Sequence, residues 1–304
     1  MAGRTAMKAL IFGASGQDGQ HLAGVCRARG IVPIAVSRSG SGTQGDVAEL
    51  DQVRSLVRQH APEYIFHLAA TSTTRHEALF ENHGTISTGT LNVLETARLH
   101  CPRAKIFLAG SGVQFVNAGA PISERTPFHA ASAYAVARIQ AAYAGRYFRS
   151  VGLAVYIGYL FHHESPARKP CHVSQVVASA ARRVGAGARE QIELGDVNVE
   201  KEWTFAGDVA RAILTLVDQD AVFEAAIGSG TTHTIQEWVE TCFRLVGRDW
   251  REHVQVREGF VSEYQRLVSD PSTIRSLGWE PRVGFDELAR MMVGAQAPAL
   301  GPRW

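Results

Sequence analysis

The stretch "LIFGASGQDGQHLA", residues 10–23, decides the fold of this chain. It opens as an apolar run, turns at Gly13, and passes Gly16 and Gly19 before a helical pattern begins. Glycine lets the backbone turn tightly and approach a pyrophosphate closely, and a helix N-terminus presents free N–H groups and the positive end of a dipole. Between a first strand and a first helix, this trio predicts a dinucleotide-binding loop. A tight turn without a ligand is the alternative interpretation.

The same alternation of strand and helix continues along the first half of the chain. Apolar runs typical of strands occupy 7–14, 31–37, 63–70, 104–111 and 153–161, and helical patterns occupy 17–29, 48–60, 82–100 and 130–149. Apolar strands separated by helices predict a parallel sheet covered on both faces. Right-handed crossovers then give a doubly wound α/β fold, in which ligands bind beyond the carboxyl ends of the strands.

The pattern loosens after about residue 165 and predicts a second, smaller part. It contains a helix at 172–187, a strand at 190–194, a helix at 207–218, a strand at 222–227 and a helix at 234–246. We therefore divide the chain into three segments: a dinucleotide-binding domain with the catalytic helix (1–165), a lobe mainly for substrate that is interleaved with the sheet (166–293), and a loose tail (294–304).

Composition excludes several classes of protein. The chain has 304 residues, of which 45% are hydrophobic and 20% charged. Its net charge of +2 does not indicate the strongly basic surface that is typical of nucleic-acid-binding proteins. No apolar run reaches the roughly 20 residues of a membrane span, and the start continues directly into the first strand, which does not fit a signal peptide. We expect a cytoplasmic protein. The four cysteines are far apart and the histidines lack zinc-site spacing, so we expect free thiols and no metal.

The end of the second strand, "AVSRSGSG" at 35–42, bears on the choice of dinucleotide. An NAD site usually has an acidic residue there for the ribose hydroxyls, whereas this chain has Ser37 and then Arg38. A guanidinium suits a 2′-phosphate, which favours NADP; a surface arginine near a turn is the alternative. Asp46, followed by Val47, either accepts a hydrogen bond from the adenine amino group or caps the next helix, and the sequence favours neither.

Three residues predict the catalytic chemistry. Ser111 ends the fourth strand, and Tyr134 lies one helical turn before Arg138. A nearby positive charge stabilises a phenolate, so a tyrosine can pass a proton to or from an alcohol oxygen while hydride moves to or from nicotinamide. Serine would orient that oxygen. A half-buried packing tyrosine is the alternative for Tyr134.

The chain resembles the extended short-chain dehydrogenase/reductases, and in particular their GDP-mannose 4,6-dehydratase branch, over residues 7–293. The stretches that carry the resemblance are "GQDG" (16–19), "TPFHAASAYAVAR" (126–138), "HESP" (163–166) and "SLGWEPRVGFDEL" (276–288). The resemblance implies a Rossmann domain with a small substrate lobe, NADP as cofactor, and a sugar carried on a nucleoside diphosphate as substrate. It also implies a homodimer or homotetramer formed through the helices near 85–100 and 132–149.

Site residues follow from the resemblance position by position. Ser111 matches the catalytic Thr or Ser, Tyr134 the catalytic tyrosine, and Arg138 the family's lysine. Together with Ser15 and Arg38, the expected cofactor-binding residues are Gly13, Gly16, Gln17, Asp18, Asp46, Val47, Leu68, Ala69, Ala70, Ser72, Tyr134, Arg138, His163 and Arg168. The expected substrate-binding residues are Ser111, His162, Lys201, Trp203 and Glu263, with a packing role as the alternative for Trp203.

The chain also departs from the family pattern. Arg138 keeps the charge of the lysine but has a planar fork. Val113 stands where the dehydratases carry the glutamate that acts as the base at sugar C5, and an apolar side chain cannot move a proton. Phe260 and Lys201 replace two arginines expected near the substrate. The local string "SGVQF", residues 111–115, is similar to the 4-ketoreductase relatives.

These departures lead to three hypotheses. The favoured one is an NADP(H)-dependent reductase acting at C4 of a GDP-4-keto-6-deoxy sugar, because reduction needs no base at C5. The second is GDP-mannose 4,6-dehydratase, the activity that the overall resemblance implies. The third is a weak or inactive NADP-binding homologue.

Overall fold

The computed structural model describes residues 6–39 and 42–294. Its strands, in chain order, are β1 (Lys8–Phe12), β2 (Val32–Ser37), β3 (Thr43–Gln44), β4 (Tyr64–His67), β5 (Lys105–Ser111), β6 (Ala154–Leu160), β7 (His163–Glu164), β8 (Ile192–Leu194), β9 (Glu200–Glu202), β10 (Thr204–Phe205), β11 (Glu224–Ile227), β12 (Thr232–Thr234), β13 (Val254–Val256) and β14 (Arg266–Leu267). The helices are α1 (Gln17–Ala28), α2 (Leu50–His60), α3 (Leu79–Asn82), α4 (Gly89–His100), α5 (Ala133–Ser150), α6 (Val173–Gly185), α7 (Ala206–Val217), α8 (Ile235–Leu245), α9 (Ser272–Ser276) and α10 (Phe285–Val293).

Seven parallel strands form the main sheet, in the order β11-β6-β5-β4-β1-β2-β3. The chain starts in β1, builds outward through β2 and β3, and then crosses back to β4, β5 and β6 on the other side. The order therefore reverses beside β1, which is where doubly wound sheets bind ligands. The predicted fold class, a doubly wound parallel sheet flanked by helices, is confirmed.

Apolar clusters cover both faces of this sheet. On one face, Leu22 of α1 and Ile213 of α7 lie with Ile11 in a fully buried cluster. On the other face, Val53 of α2 and Leu94 of α4 lie in a second buried cluster with residues of β4, β5 and β6. Full burial of a side chain of this size is worth about 1.5–3 kcal/mol, so these two layers fix the position of the strand ends.

The helical segment from α3 to α4 contains a π-helical stretch at His83–Thr88. Such insertions widen the helix locally and often lie at functional sites. Ser87 in this stretch donates a hydrogen bond to Gln140 of α5 at 2.7 Å, and Ile86 is buried beside Tyr134. The stretch therefore connects the α3–α4 segment to the N-terminal half of α5.

Elements of the second half of the chain belong either to the main sheet or to a smaller, separate core. β11 pairs with β6 at the edge of the main sheet, and α7 packs on the sheet face. The helices α6, α8 and α10 enclose a separate core in which Trp203 stacks on Trp238, with ring centroids 4.4 Å apart. Residues 166–293 thus contribute to the sheet as well as to this smaller core.

Most of the elements that were not predicted are short. Strands β3, β7, β9, β10, β12, β13 and β14 have two or three residues and helix α9 has five, and such short segments leave no readable period. Helix α10, with nine residues, was also not predicted. Within the parts of the chain that the structure describes, no helix has the length and apolar character of a membrane span. Residues 295–304, nearly all of the predicted tail, lie outside the described residues.

Candidate active site

The glycine loop between β1 and α1 packs closely against neighbouring backbone, so that side chains at two of its glycines would collide. Gly13 has φ +87°, and a Cβ placed there would lie 2.6 Å from the backbone nitrogen of Ala69. A Cβ on Gly19 would lie 2.5 Å from Cα of Ala14. The N-terminus of α1 begins at Gly16 without a side-chain cap, which leaves the N–H groups of its first turn open to an anion.

A crevice extends from this loop across the carboxyl ends of β1, β2 and β4. We call it the loop crevice. Most of the predicted cofactor-binding residues line it together: Gly13, Ser15, Gly16, Gln17, Asp18, Arg38, Asp46, Val47, Leu68, Ala69, Ala70, Ser72 and Arg168. The sequence did not single out Lys169 and His172, which also line it. Their only signal was their position after "HESPAR".

The end of β2 carries no carboxylate. The Ser37 hydroxyl donates to the Ser39 carbonyl oxygen at 2.7 Å. Arg38 is half exposed at the crevice, and its guanidinium lies 3.3 Å from Glu81. The helix-cap alternative for Asp46 is wrong, because α2 begins at Leu50 and its N-cap residue is Glu49. Asp46 instead accepts a hydrogen bond from the Ala48 N–H at 2.9 Å, which closes a local turn at the crevice wall.

The "GQDG" loop is tied to the "HES" segment that follows β6. Gln17 donates to the His163 carbonyl oxygen at 3.1 Å and accepts from the Ser165 hydroxyl at 3.0 Å. His163 pairs with Asp18 at 2.8 Å, and its other ring nitrogen lies 2.6 Å from the Phe161 carbonyl oxygen. Burial opposes the charges of this pair, but the attraction between them wins: the pKa of His163 is raised and that of Asp18 is lowered. His163 is therefore connected to the loop crevice by its ion pair with Asp18, which lines the crevice.

A second cavity, which we call the tyrosine pocket, continues from the loop crevice. The two share Asp18, Leu68, Ala70, Ser72, Arg168 and His172 in their linings. The structure brings the three predicted catalytic residues together there, since Ser111, Tyr134 and Arg138 all line the pocket. Ser111 is the last residue of β5, and its N–H donates to Gln114 at 2.8 Å. Tyr134 lies in the first turn of α5, which Ser132 caps through the Ala135 N–H.

The guanidinium of Arg138 joins Tyr134 to the sheet. Its Nε donates to the Tyr134 hydroxyl oxygen at 3.1 Å, and its Nη1 donates to the Ala109 carbonyl oxygen of β5 at 2.5 Å. The guanidinium carbon also lies 5.0 Å from the centre of the Tyr134 ring. Arg138 is only 5% exposed, so these contacts act in a poorly solvated place, where charge-assisted hydrogen bonds are strongest.

Position 113 leaves an apolar surface beside these groups. Val113 lines the tyrosine pocket and packs against the buried cluster of the sheet. Glu164, the alternative carboxylate nearby, is 0% exposed, pairs with His162 at 2.9 Å, and lies 3.4 Å from Arg168. Those partners overcome the effect of burial and lower the pKa of Glu164 to about 2. Glu164 is therefore a fixed structural anion that does not turn into the pocket.

The predicted substrate-binding residues have different environments. His162 and Glu263 line the tyrosine pocket. Lys201, on β9, is close enough to Glu164 and Glu263 for their charges to act on it, but burial is the larger effect and lowers its pKa.

Trp203 is 3% exposed and is enclosed by its stack with Trp238. This burial matches the packing alternative for Trp203 and places it away from the pocket wall. Phe260 covers Gly195, with a ring atom 2.7 Å from where a Cβ on that glycine would lie, and does not line the pocket.

A third cavity, the outer pocket, opens beyond the tyrosine pocket. His76, His129 and Arg266 line it, and it shares Thr74, Val113, Glu263, Tyr264 and Leu267 with the tyrosine pocket. The Thr74 hydroxyl donates to Glu263 across this boundary. Among the residues with described positions, no cluster of three or more His, Cys, Asp or Glu side chains is placed to hold a metal ion.

Comparison with known proteins identifies the family. Residues 10–292 match the family model described as GDP-mannose 4,6 dehydratase. GDP-mannose 4,6 dehydratase 1 of Arabidopsis thaliana is 31% identical over 321 residues, covering 94% of this chain and 88% of that protein. Among solved structures, RMD from Pseudomonas aeruginosa complexed with NADPH has a TM-score of 0.83 at 21% identity, covering 96% of this chain and 98% of that one.

The dTDP-glucose 4,6-dehydratase of Bacillus anthracis, in complex with NAD, has a TM-score of 0.84 at 18% identity, covering 95% and 96% of the two chains. At these identities the structural likeness shows the fold alone, whereas the family model spans both parts of the chain. The resemblance predicted from the sequence is confirmed, and this chain belongs to the GDP-mannose 4,6-dehydratase family of nucleotide-sugar enzymes.

Proposed function

We propose that this protein is an NADP(H)-dependent oxidoreductase that reduces the C4 ketone of a 4-keto-6-deoxy hexose carried on GDP. The observation that carries the proposal is the composition of the tyrosine pocket. Ser111 and Tyr134 converge there as an orienting hydroxyl and a proton donor, and Val113 stands beside them in place of a base. Reduction of a ketone needs the orienting hydroxyl and the proton donor but does not need the base.

The loop crevice fits a nicotinamide dinucleotide. The close-approach glycines and the uncapped start of α1 suit a pyrophosphate. Arg38 at the end of β2 and Lys169 on the crevice wall suit a 2′-phosphate. Bound there, the cofactor would supply hydride to C4. Among the related solved structures, one is a complex with NADPH and others are complexes with NAD, so the preference for NADP rests on Arg38 and on the missing acidic residue.

The protein's own groups would manage the C4 oxygen. Ser111 would donate a hydrogen bond that orients the ketone, and Tyr134 would deliver the proton as the alkoxide forms. Arg138 carries a guanidinium group that already donates a hydrogen bond to the Tyr134 oxygen. It therefore stabilises the phenolate that remains once the proton has left. His162 and Glu263 lie where they would contact the sugar nucleotide.

The second candidate function is 4,6-dehydration of GDP-mannose. The matching family model and the names of the curated relatives favour it. In this chain the reaction would need another group to remove the C5 proton.

The test is product analysis by mass spectrometry on the purified protein. One reaction contains GDP-mannose with NADP⁺, and the other contains the GDP-4-keto-6-deoxy sugar with NADPH. A gain of two hydrogens in the second reaction supports the reductase, and loss of water in the first supports the dehydratase. No change in either, with NADP bound, supports the inactive homologue. Val113→Glu should create or raise water loss if position 113 limits elimination.

We also propose a homodimer that forms through α4 and α5. Leu91, Leu99, Tyr143 and Tyr147 on these two helices are each more than half exposed. Large exposed apolar groups on two neighbouring helices are typical of an interface.

A further inference from the structure

Tyr264 is a tyrosine of the pocket for which neither the catalytic chemistry nor the family resemblance gives a role. It lies between β13 and β14, directly after Glu263, and lines both the tyrosine pocket and the outer pocket. Among the residues that the structure describes, four others share this position at the boundary: Thr74, Val113, Glu263 and Leu267. A hexose bound in the tyrosine pocket would share that cavity with Tyr134 and with this boundary.

The Tyr264 ring is held in place from two sides. It packs against the apolar cluster on the sheet face that includes Phe115 and Leu267, and also against the core of the smaller lobe. A side chain fixed between two cores loses little further entropy when it binds a ligand, which is the condition for a specific polar contact.

The Tyr264 hydroxyl is available to a ligand. Among the residues that the structure describes, none forms a hydrogen bond with it, and its oxygen does not belong to the fully enclosed atoms without partners. The two fully buried tyrosine phenols differ in this respect. Tyr156 donates to the Gln219 carbonyl oxygen and Tyr159 donates to Glu224, both at 2.7 Å. A phenol held beside an apolar wall with no protein partner calls for a partner from outside the protein.

The protonation state limits what this phenol can do. Burial and, to a lesser extent, the neighbouring Glu263 raise the pKa of Tyr264 to about 12. The group therefore remains a neutral hydroxyl across the usual range of pH. It can donate a hydrogen bond but cannot serve as the base that position 113 lacks.

From this geometry we propose that Tyr264 is a specificity-determining residue, whose hydroxyl donates a hydrogen bond to a ring hydroxyl of the bound hexose other than the oxygen at C4. The proposal rests on the proposed function insofar as it assumes a sugar in the tyrosine pocket. The contact would form at the boundary of the two pockets, next to Val113. Glu263, at the same boundary, is a hydrogen-bond acceptor and already receives a hydrogen bond from the Thr74 hydroxyl.

The experiment compares Tyr264→Phe with the unaltered protein. The matched control is Tyr64→Phe, because Tyr64 is also partly buried but lies at the start of β4, outside the linings of the three cavities. Isothermal titration calorimetry in saturating NADPH measures the dissociation constants of GDP-mannose and of GDP alone. The same titrations with UDP-glucose and UDP, and with dTDP-glucose and dTDP, cover other bases. Loss of one neutral hydrogen bond should weaken the sugar nucleotide by about three- to tenfold. The affinity of Tyr264→Phe for the diphosphate alone should be unchanged, as should every affinity of the Tyr64→Phe control.

Each outcome decides the question. Equal weakening of the sugar nucleotide and of the free diphosphate would mean that Tyr264 acts on the nucleotide half or on the fold, and would overturn the proposal. An unchanged affinity in Tyr264→Phe, with a wild-type protein that binds and turns over sugar nucleotide, would also overturn it while leaving the proposed function intact. A wild-type protein that binds none of the three sugar nucleotides would overturn both.

Discussion

Replacing Arg138 by methionine tests whether the guanidinium acts on the Tyr134 hydroxyl or only supports the fold. Methionine retains an unbranched stem of similar length but has no donor and no charge. The substitution removes the 3.1 Å bond to Tyr134 and the bond to the Ala109 carbonyl oxygen, both in a place that is 5% exposed. A hydrogen bond from a charged donor is worth about 1.5–3 kcal/mol. Loss of the first bond at the transition state therefore predicts a fall in turnover of about 10- to 100-fold.

The matched control is Arg138→Lys, which keeps the positive charge but has one nitrogen in place of a fork. A single ammonium can retain the contact with Tyr134 or the one with Ala109, so we expect a loss of about 2 kcal/mol in the free energy of unfolding, equivalent to about 4–8 °C in Tm. Turnover should remain within about threefold of the unaltered chain, because the charge beside the phenol is preserved. Together, the two substitutions separate the effect of the positive charge from the effect of the forked guanidinium geometry.

The assay is single-turnover reduction of the GDP-4-keto-6-deoxy sugar, followed by NADPH fluorescence at least 15 °C below the lowest of the three melting temperatures, with urea unfolding of the same samples. Equal turnover in Arg138→Met and Arg138→Lys would refute the claim that the charge acts on Tyr134. Unchanged stability in both would refute the geometry of the two hydrogen bonds.

Three further predictions concern the cofactor, pH and assembly. Arg38→Ser should weaken NADP binding by about tenfold or more while leaving NAD binding unchanged, as measured by fluorescence titration, because only the 2′-phosphate uses the guanidinium; equal losses would count against that role. His67 is 2% exposed, and burial and then the charge of Arg138 lower its pKa to about 4, below the 6.5 of an unfolded histidine. The unfolded chain therefore binds more protons in this window, and His67 should cost about 3 kcal/mol of stability as the pH falls from 6.5 to 4; His67→Asn should flatten that part of the stability profile. Tyr147→Arg on the exposed face of α5 should shift the protein to monomer in light scattering, and an unchanged mass would place any interface elsewhere.

The parallel sheet was predictable because its strands are long and apolar. Runs such as that of β5 are buried on both faces and bounded by turn residues, so the sequence shows them directly. The glycine loop was predictable for a related reason: at Gly13 a side chain would collide with backbone, and glycine is the one residue that the place accepts. In both cases the local sequence carries the whole constraint.

Other features depend on contacts between distant segments. The pairing of Asp18 with His163 joins residues 145 positions apart. Trp203 is a core residue because it stacks on Trp238, and no local sequence pattern indicates that contact. The helix-cap role considered for Asp46 failed because α2 begins four residues later. Tyr264 carried no signal in the sequence, since its importance comes from two cores that meet around its ring.

The departures at positions 138 and 113 have unequal consequences for the two candidate reactions. Arg138 keeps a positive charge and donates a hydrogen bond to the Tyr134 oxygen, as the proposed proton delivery to C4 requires. Val113 stands where the family resemblance implies the base that takes a proton from C5. Among the described residues, the carboxylates in the lining of the tyrosine pocket are Asp18 and Glu263. Asp18 forms an ion pair with His163, and Glu263 accepts a hydrogen bond from the Thr74 hydroxyl. Under the proposed function, reduction at C4 would use groups that line the pocket, whereas elimination would need a base where Val113 stands. A carboxylate at 113 that brings no water loss would therefore shift the explanation to how the sugar is held, and hence to Phe260, Lys201 and Tyr264.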